Sequence, residues 1–148
     1  MGAASHMWHF YIRKGMAYLP TIARTEAGFF LDIEPVVVLQ ADRRGDLIRA
    51  LGQSIASGNV SALTPKRGAY GTPAILKAAS IKTWATFERG ARCYTVYRTD
   101  SGYEIPTMEH RAEGWVENAE KTKRLPLSSH PDDVARVLVD DACASQGG

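Results

Sequence analysis

From Trp8 to Gln40 the chain is written in strand-forming residues, and this run constrains the fold more than any later segment. Trp8–Arg13 (WHFYIR) is aromatic and β-branched, and Lys14-Gly15 supplies a turn. Ala17–Arg24 reads as a second strand. Pro20 places it at a sheet edge or a bulge, because proline has no N–H to give to a ladder. Gly28–Asp32 and Val36–Gln40 read as further strand, with a bend at Pro35. Such a meander must bury one face, and the next segment offers cover. Asp42 is placed to act as an N-cap, and Leu47, Ile48, Leu51 and Ile55 recur at helical spacing until Gly58 closes the helix.

Asn59–Pro73 is rich in Gly, Pro, Ser and Thr and reads as a long loop, of the kind often kept for function. Ala74–Ala79 fits a short strand and a helical turn equally. Ser80 is expected to cap a short helix through Lys82–Arg89 that Gly90 ends. Arg92–Thr99 alternates as a strand, Asp100-Ser101-Gly102 reads as a three-residue hairpin loop, and Tyr103–Glu109 returns. Ala112–Leu127 reads as irregular and polar around Trp115. Ser129-His130-Pro131-Asp132 opens a last helix with capping-box spacing, and Val134, Val137, Leu138 and Ala142 form its apolar stripe. The order predicts an α+β fold: a mostly antiparallel sheet with two principal helices packed on one face.

Met1–Met7 (MGAASHM) reads as an expression scar, which leaves 8–148 as a single α+β domain. No apolar run approaches the ~20 residues of a membrane span, so no membrane partner is expected. The residues after the scar lack the charged start and apolar stretch of a signal peptide, and a cytoplasmic location is expected from that. Cys93 and Cys143 have no disulfide framework around them and read as two free thiols.

No catalytic constellation stands out. His9 falls in a strand, His110 ends one, and His130 lies in the first turn of the last helix. No two histidines have the spacing of a zinc motif, so neither metal nor cofactor is expected. Ser54, Ser57 and Ser61 sit near a helix end without a nucleophile elbow. Arg92 beside Cys93 could lower its pKa, and His110 lies across the hairpin from it, but a strand position favours a packed thiol. Asp32 and Glu34, one residue apart, share a strand face and could act as paired carboxylates, although a solvated edge accounts for them better. Asp132 and Asp133 answer the helix dipole. Lys66–Gly71 (KRGAYG) matches no nucleotide-binding motif, though a basic glycine-rich loop can meet a phosphate or carboxylate.

Charge is more informative in its distribution than in its sum of +2. Lys66–Arg92 carries six basic residues (Lys66, Arg67, Lys77, Lys82, Arg89, Arg92) against one acid, Glu88. The rest of the chain is net acidic. This segment is therefore the expected contact surface. Within it Trp84 and Phe87 fall one turn apart on a helix, where they either plug the core or anchor a surface rich in Arg and Trp. The residues expected to bind are Lys66, Arg67, Tyr70, Lys82, Trp84, Glu88 and Arg89.

In size, organisation and lack of an active-site motif, the chain resembles immunity proteins of interbacterial toxin systems such as contact-dependent growth inhibition. The resemblance covers general character over the whole chain, and no family residue carries over. It implies a cytoplasmic, non-catalytic protein that neutralises one cognate protein toxin by covering its active site. Either the acidic last third (Glu117, Glu120, Asp132, Asp133, Asp140, Asp141) meets a basic toxin cleft, or Lys66–Arg92 meets an acidic one. The alternative is a nucleic-acid-binding domain whose segment 66–92 holds phosphates and stacks bases on Tyr70, Trp84 and Phe87. A small enzyme is the third reading, resting on a desolvated lysine at Lys77 or Lys82.

Overall fold

The computed structural model describes residues 4–66, 72–112 and 114–146. The front third folds as its residues require. β1 (His6–Arg13), β2 (Met16–Thr25) and β3 (Phe30–Gln40) form an antiparallel meander. His6 and Met7 already belong to the first strand, opposite Arg98 and Tyr97. The ladder between β2 and β3 shifts register at Pro20/Thr21, the bulge expected at the proline. The two expected strands around Pro35 are one, because β3 pairs with β2 on both sides of that residue.

The strand order is β3-β2-β1-β5-β6-β7, with β5 (Ala91–Thr99), β6 (Gly102–Arg111) and β7 (Gly114–Leu125) completing the main path. β1 and β2 pair only next to their turn, over Tyr11–Arg13 and Met16–Tyr18. Where they part, β4 (Val60–Ala62) adds to β2 in parallel, inside the segment expected to be all loop. Asn59 bridges the divergence. Its Nδ2 donates to the carbonyls of Met7 (2.9 Å) and Ile22 (3.3 Å), and its Oδ1 accepts from the Met7 N–H. A side-chain amide thus replaces the missing ladder bonds.

Two long helices cover one face of the sheet, as expected: α1 (Arg44–Ser57) and α4 (Pro131–Gln146). Leu47, Ile48, Leu51 and Ile55 of the first meet Val134, Ala135, Leu138 and Ala142 of the second over Trp8, Phe10, Ile12, Tyr94 and Val96. Two six-residue helices, α2 (Ala74–Ala79) and α3 (Trp84–Arg89), lie on the opposite face over Tyr11, Tyr18 and Cys93.

Several local expectations are corrected. Arg43, not Asp42, precedes α1, and its side chain makes no capping bond. Ser80 does not cap α3 but ends α2 in a left-handed conformation; Thr83 caps α3, its hydroxyl accepting from the Thr86 N–H. α4 begins at Pro131, a residue with no N–H to leave unpaired, and the His130 ring accepts from the Asp132 N–H at 3.1 Å. Thr99 pairs with Gly102, so the hairpin turn has two residues rather than three. Gly102 has φ 141°, and a Cβ there would lie 2.3 Å from the Leu125 carbonyl oxygen, so only glycine fits. The segment expected to be irregular around Trp115 is β7, a twelve-residue strand. Pairing with β6 along nearly its whole length imposes a conformation its polar residues do not advertise.

Candidate functional site

The period of two along a strand builds the second face. Trp8, Phe10 and Ile12 turn toward the long helices, which sends His9 and Tyr11 the other way. β5 repeats the division: Tyr94 and Val96 face the helices, while Cys93, the cross-strand partner of Tyr11, does not. α3 then lays an aromatic lid over this floor. Phe87 is fully buried, with its ring 5.6 Å from Tyr11 and 5.7 Å from Tyr18. Trp84 is half-buried, stacked on Phe87 at 5.4 Å and edge-on to Tyr11 (5.8 Å) and Trp115 (6.0 Å).

Beside the aromatics lies a polar cluster. His9 Nε2 is 2.6 Å from Asp32 Oδ1, and the Tyr11 hydroxyl donates to Asp32 Oδ2 at 3.3 Å. The side chains of His9 and Asp32 are only 13% and 20% exposed, so the pair is shielded from water. Burial, reinforced by the Asp32 charge and hydrogen bond, raises the Tyr11 hydroxyl far above its ordinary pKa. Burial pushes the Cys93 thiol up to about 12. That thiol sits against Thr95 Oγ1 at 3.5 Å and is protonated at neutral pH, which removes the thiolate a Cys–His arrangement would need.

Asp32 and Glu34 are therefore not a free carboxylate pair. Asp32 serves His9 and Tyr11, and Glu34 reaches Lys77 Nζ at 3.3 Å across a cleft of about 570 Å³. Lys77 is more than half exposed, so it is not the desolvated lysine an amine-based enzyme would use. Lys82 is exposed as well. Trp84 and Pro65 line the same cleft, which sets the exposed Lys66 at its border.

Of the residues expected to bind, Arg67 and Tyr70 lie outside the described residues. Lys82, Trp84, Glu88 and Arg89 come together on α3 and the link before it. Glu88 faces His110 Nε2 at 4.0 Å. Lys82 and Arg89 are exposed and have no ion pair among the described residues. The acidic last third is different. Asp140 pairs with Arg44 (2.8 Å), Asp141 with Lys123 and Asp133 with Arg136 (3.6 Å), while Glu117 accepts from the Tyr97 hydroxyl. Sequence reasoning missed His9, Tyr11, Asp32 and Trp115 as one neighbourhood. Alternation in WHFYIR already set His9 and Tyr11 opposite Trp8 and Phe10, but nothing in the sequence says that β3 and β7 deliver Asp32 and Trp115 to them.

No protein-family model matches the sequence, and no curated protein matches it. Among solved structures, the chain is similar to a protein of unknown function, NMB0488 from Neisseria meningitidis. The TM-score is 0.62 at 12% identity, over 97% of this chain and 99% of that one. It is also similar to a chain of the CdiA-CT/CdiI toxin and immunity complex from Yersinia pseudotuberculosis, with TM-score 0.61 at 10% identity over 95% of this chain and 98% of that one. At these identities the likeness is one of fold, and it extends over nearly the whole chain. Among the described residues, no helix is long and apolar enough to cross a membrane.

Proposed function

We propose that this chain is a non-catalytic protein-binding module: a cytoplasmic immunity protein that neutralises a cognate bacterial toxin by direct binding. The observation that carries the reading is the fold likeness to a chain of a toxin and immunity complex across almost all of both chains. The chemistry of the second face supports it. His9, Asp32 and Tyr11 satisfy one another, and the Cys93 thiol is buried and protonated. These groups fix a surface rather than supply a nucleophile.

The contact surface is the α2/α3 face, with Lys66, Lys82, Trp84, Glu88 and Arg89 as its binding residues; Arg67 and Tyr70 join them from the sequence alone. The balance of ion pairs favours it over the acidic last third. Among the described residues Lys82 and Arg89 have no carboxylate to leave when a partner arrives, whereas Asp133, Asp140 and Asp141 are already matched by cations of the same chain. Unmatched cations of this kind steer an acidic partner toward the face. Co-expression of the chain with the toxin encoded beside its gene is the test. Restored growth is expected, with a weaker rescue by a Lys82→Glu/Arg89→Glu variant; no protection by the unaltered chain would defeat the proposal. Binding that is carried by RNA or DNA and falls steeply with salt would instead establish the nucleic-acid reading.

A further inference from the structure

The sheet has a gap. β5 and β6 pair only beside their turn, over Tyr97–Thr99 and Gly102–Glu104. Past that point they separate, since β5 stays on β1 as far as Ala91 while β6 follows β7. Between them opens a cleft of about 530 Å³, lined among others by Arg89, Arg92, Glu109, His110 and Trp115.

Donors without partners gather around this cleft. The Trp115 indole N–H is buried and unpartnered among the described residues. So is the Arg13 Nε, which lies 3.4 Å from where a side chain on Gly90 would begin; Gly90 itself lines the cleft. Neither group can accept a hydrogen bond, so only an acceptor satisfies them. Arg89 and Arg92 are exposed and have no ion pair among the described residues. The acid in the lining does not serve them: Glu109 is held by Arg111 at 2.7 Å and by the Asn118 amide at 2.8 Å. Three donor-only side chains, Arg89, Arg92 and Trp115, thus line a partly enclosed space whose acid is already committed, with Arg13 set beside its Gly90 wall. Guanidinium groups there match the two oxygens of a planar or tetrahedral oxyanion.

We propose that the β5/β6 cleft binds one oxyanion group, a carboxylate or a phosphate, through Arg89, Arg92 and Trp115 of its lining, with the unpartnered Arg13 Nε beside Gly90 adding to its positive field. The site goes beyond the toxin-binding reading and stands without it. Its ligand can come from two sources, the carboxylate of an acidic residue or a phosphate-bearing small molecule.

Proton–nitrogen correlation spectra of the intact chain test the site, with inorganic phosphate and N-acetyl-aspartate amide titrated separately at ionic strength matched by sodium chloride. The Trp115 indole N–H and the Arg13 Nε–H, assigned with Trp115→Phe and Arg13→Lys, report on the cleft. The expected result is a saturable shift of both resonances with at least one probe, weakened about tenfold or more in Arg89→Gln/Arg92→Gln, whose exposed positions leave the fold intact. Saturation by phosphate alone assigns a phosphate ligand, and saturation by the blocked aspartate assigns an acidic residue. Shifts no larger than those with chloride, or saturation that persists in the double variant, would overturn the proposal.

Discussion

The two faces of the sheet are built from the same strands and spend their residues differently. Under α1 and α4 the core is deep and almost wholly aliphatic and aromatic, and two helices of about four turns each close it from the same side. Under α2 and α3 the core is smaller. Each helix has six residues, Trp84 and Trp115 are half-buried, and polar groups (His9, Tyr11, Asp32, Cys93) fill the space that side chains such as Phe10 fill on the other face. Burial without polar atoms buys stability and little else. The second face leaves aromatics half-buried beside cations that have no ion pair among the described residues, and so gives up some of that stability.

Alkali should attack the second face first. The folded protein holds the Cys93 proton to about pH 12, whereas the unfolded chain releases it near 9. The unfolded state therefore binds fewer protons across that window, and stability falls as pH rises through it. At about 1.4 kcal/mol per pH unit, Cys93 accounts for a loss on the order of 4 kcal/mol. Tyr11, raised in the same direction, adds its own loss above the ordinary tyrosine range. Urea unfolding from pH 8 upward measures this, and Cys93→Ala should flatten the first part of the decline. A flat profile would mean the second face is open to water.

Leu51→Ala should cost about 2–5 kcal/mol, because the side chain is fully buried between the two long helices and the sheet. The urea midpoint of the whole molecule reports it. A cost below about 1 kcal/mol would make the first face as loosely packed as the second.

Hydrogen exchange separates the faces without any substitution. Amides of α2 and α3 should exchange through local opening, faster than those of α1 and α4, since a helix of two turns is held mainly by what it touches. Equal protection would show one cooperative unit and remove the contrast.

The smallest expected effect on stability belongs to Lys82→Glu and Arg89→Glu. Both side chains are exposed, so each reversal should stay within about half a kcal/mol. Their effect should appear in the association rate with the partner and in its dependence on salt.

The sequence showed the first face more plainly than the second. Leu47, Leu51, Val134 and Leu138 repeat at helical spacing, and Trp8–Arg13 is unmistakable strand, because each pattern is local. Gly58 and Gly90 marked their helix ends for the same reason. β7 was invisible because its conformation comes from β6 rather than from its own residues. Thr83 outcompeted Ser80 as a cap through one hydrogen bond that spacing alone does not favour. The charge excess of Lys66–Arg92 drew attention to the segment that holds α3, because charge runs are also local. The His9–Asp32–Tyr11 cluster and the β5/β6 cleft depend on which strands become neighbours, and a single sequence does not state that.

In the proposed function the α2/α3 face meets a protein partner while the α1/α4 face holds the fold. Hydrogen-exchange mass spectrometry of the chain alone and with any toxin domain found encoded beside its gene tests this division most directly. Slowed exchange should concentrate in residues 82–92, with 131–146 unchanged. Protection centred on 131–146, or no complex at all, would contradict it.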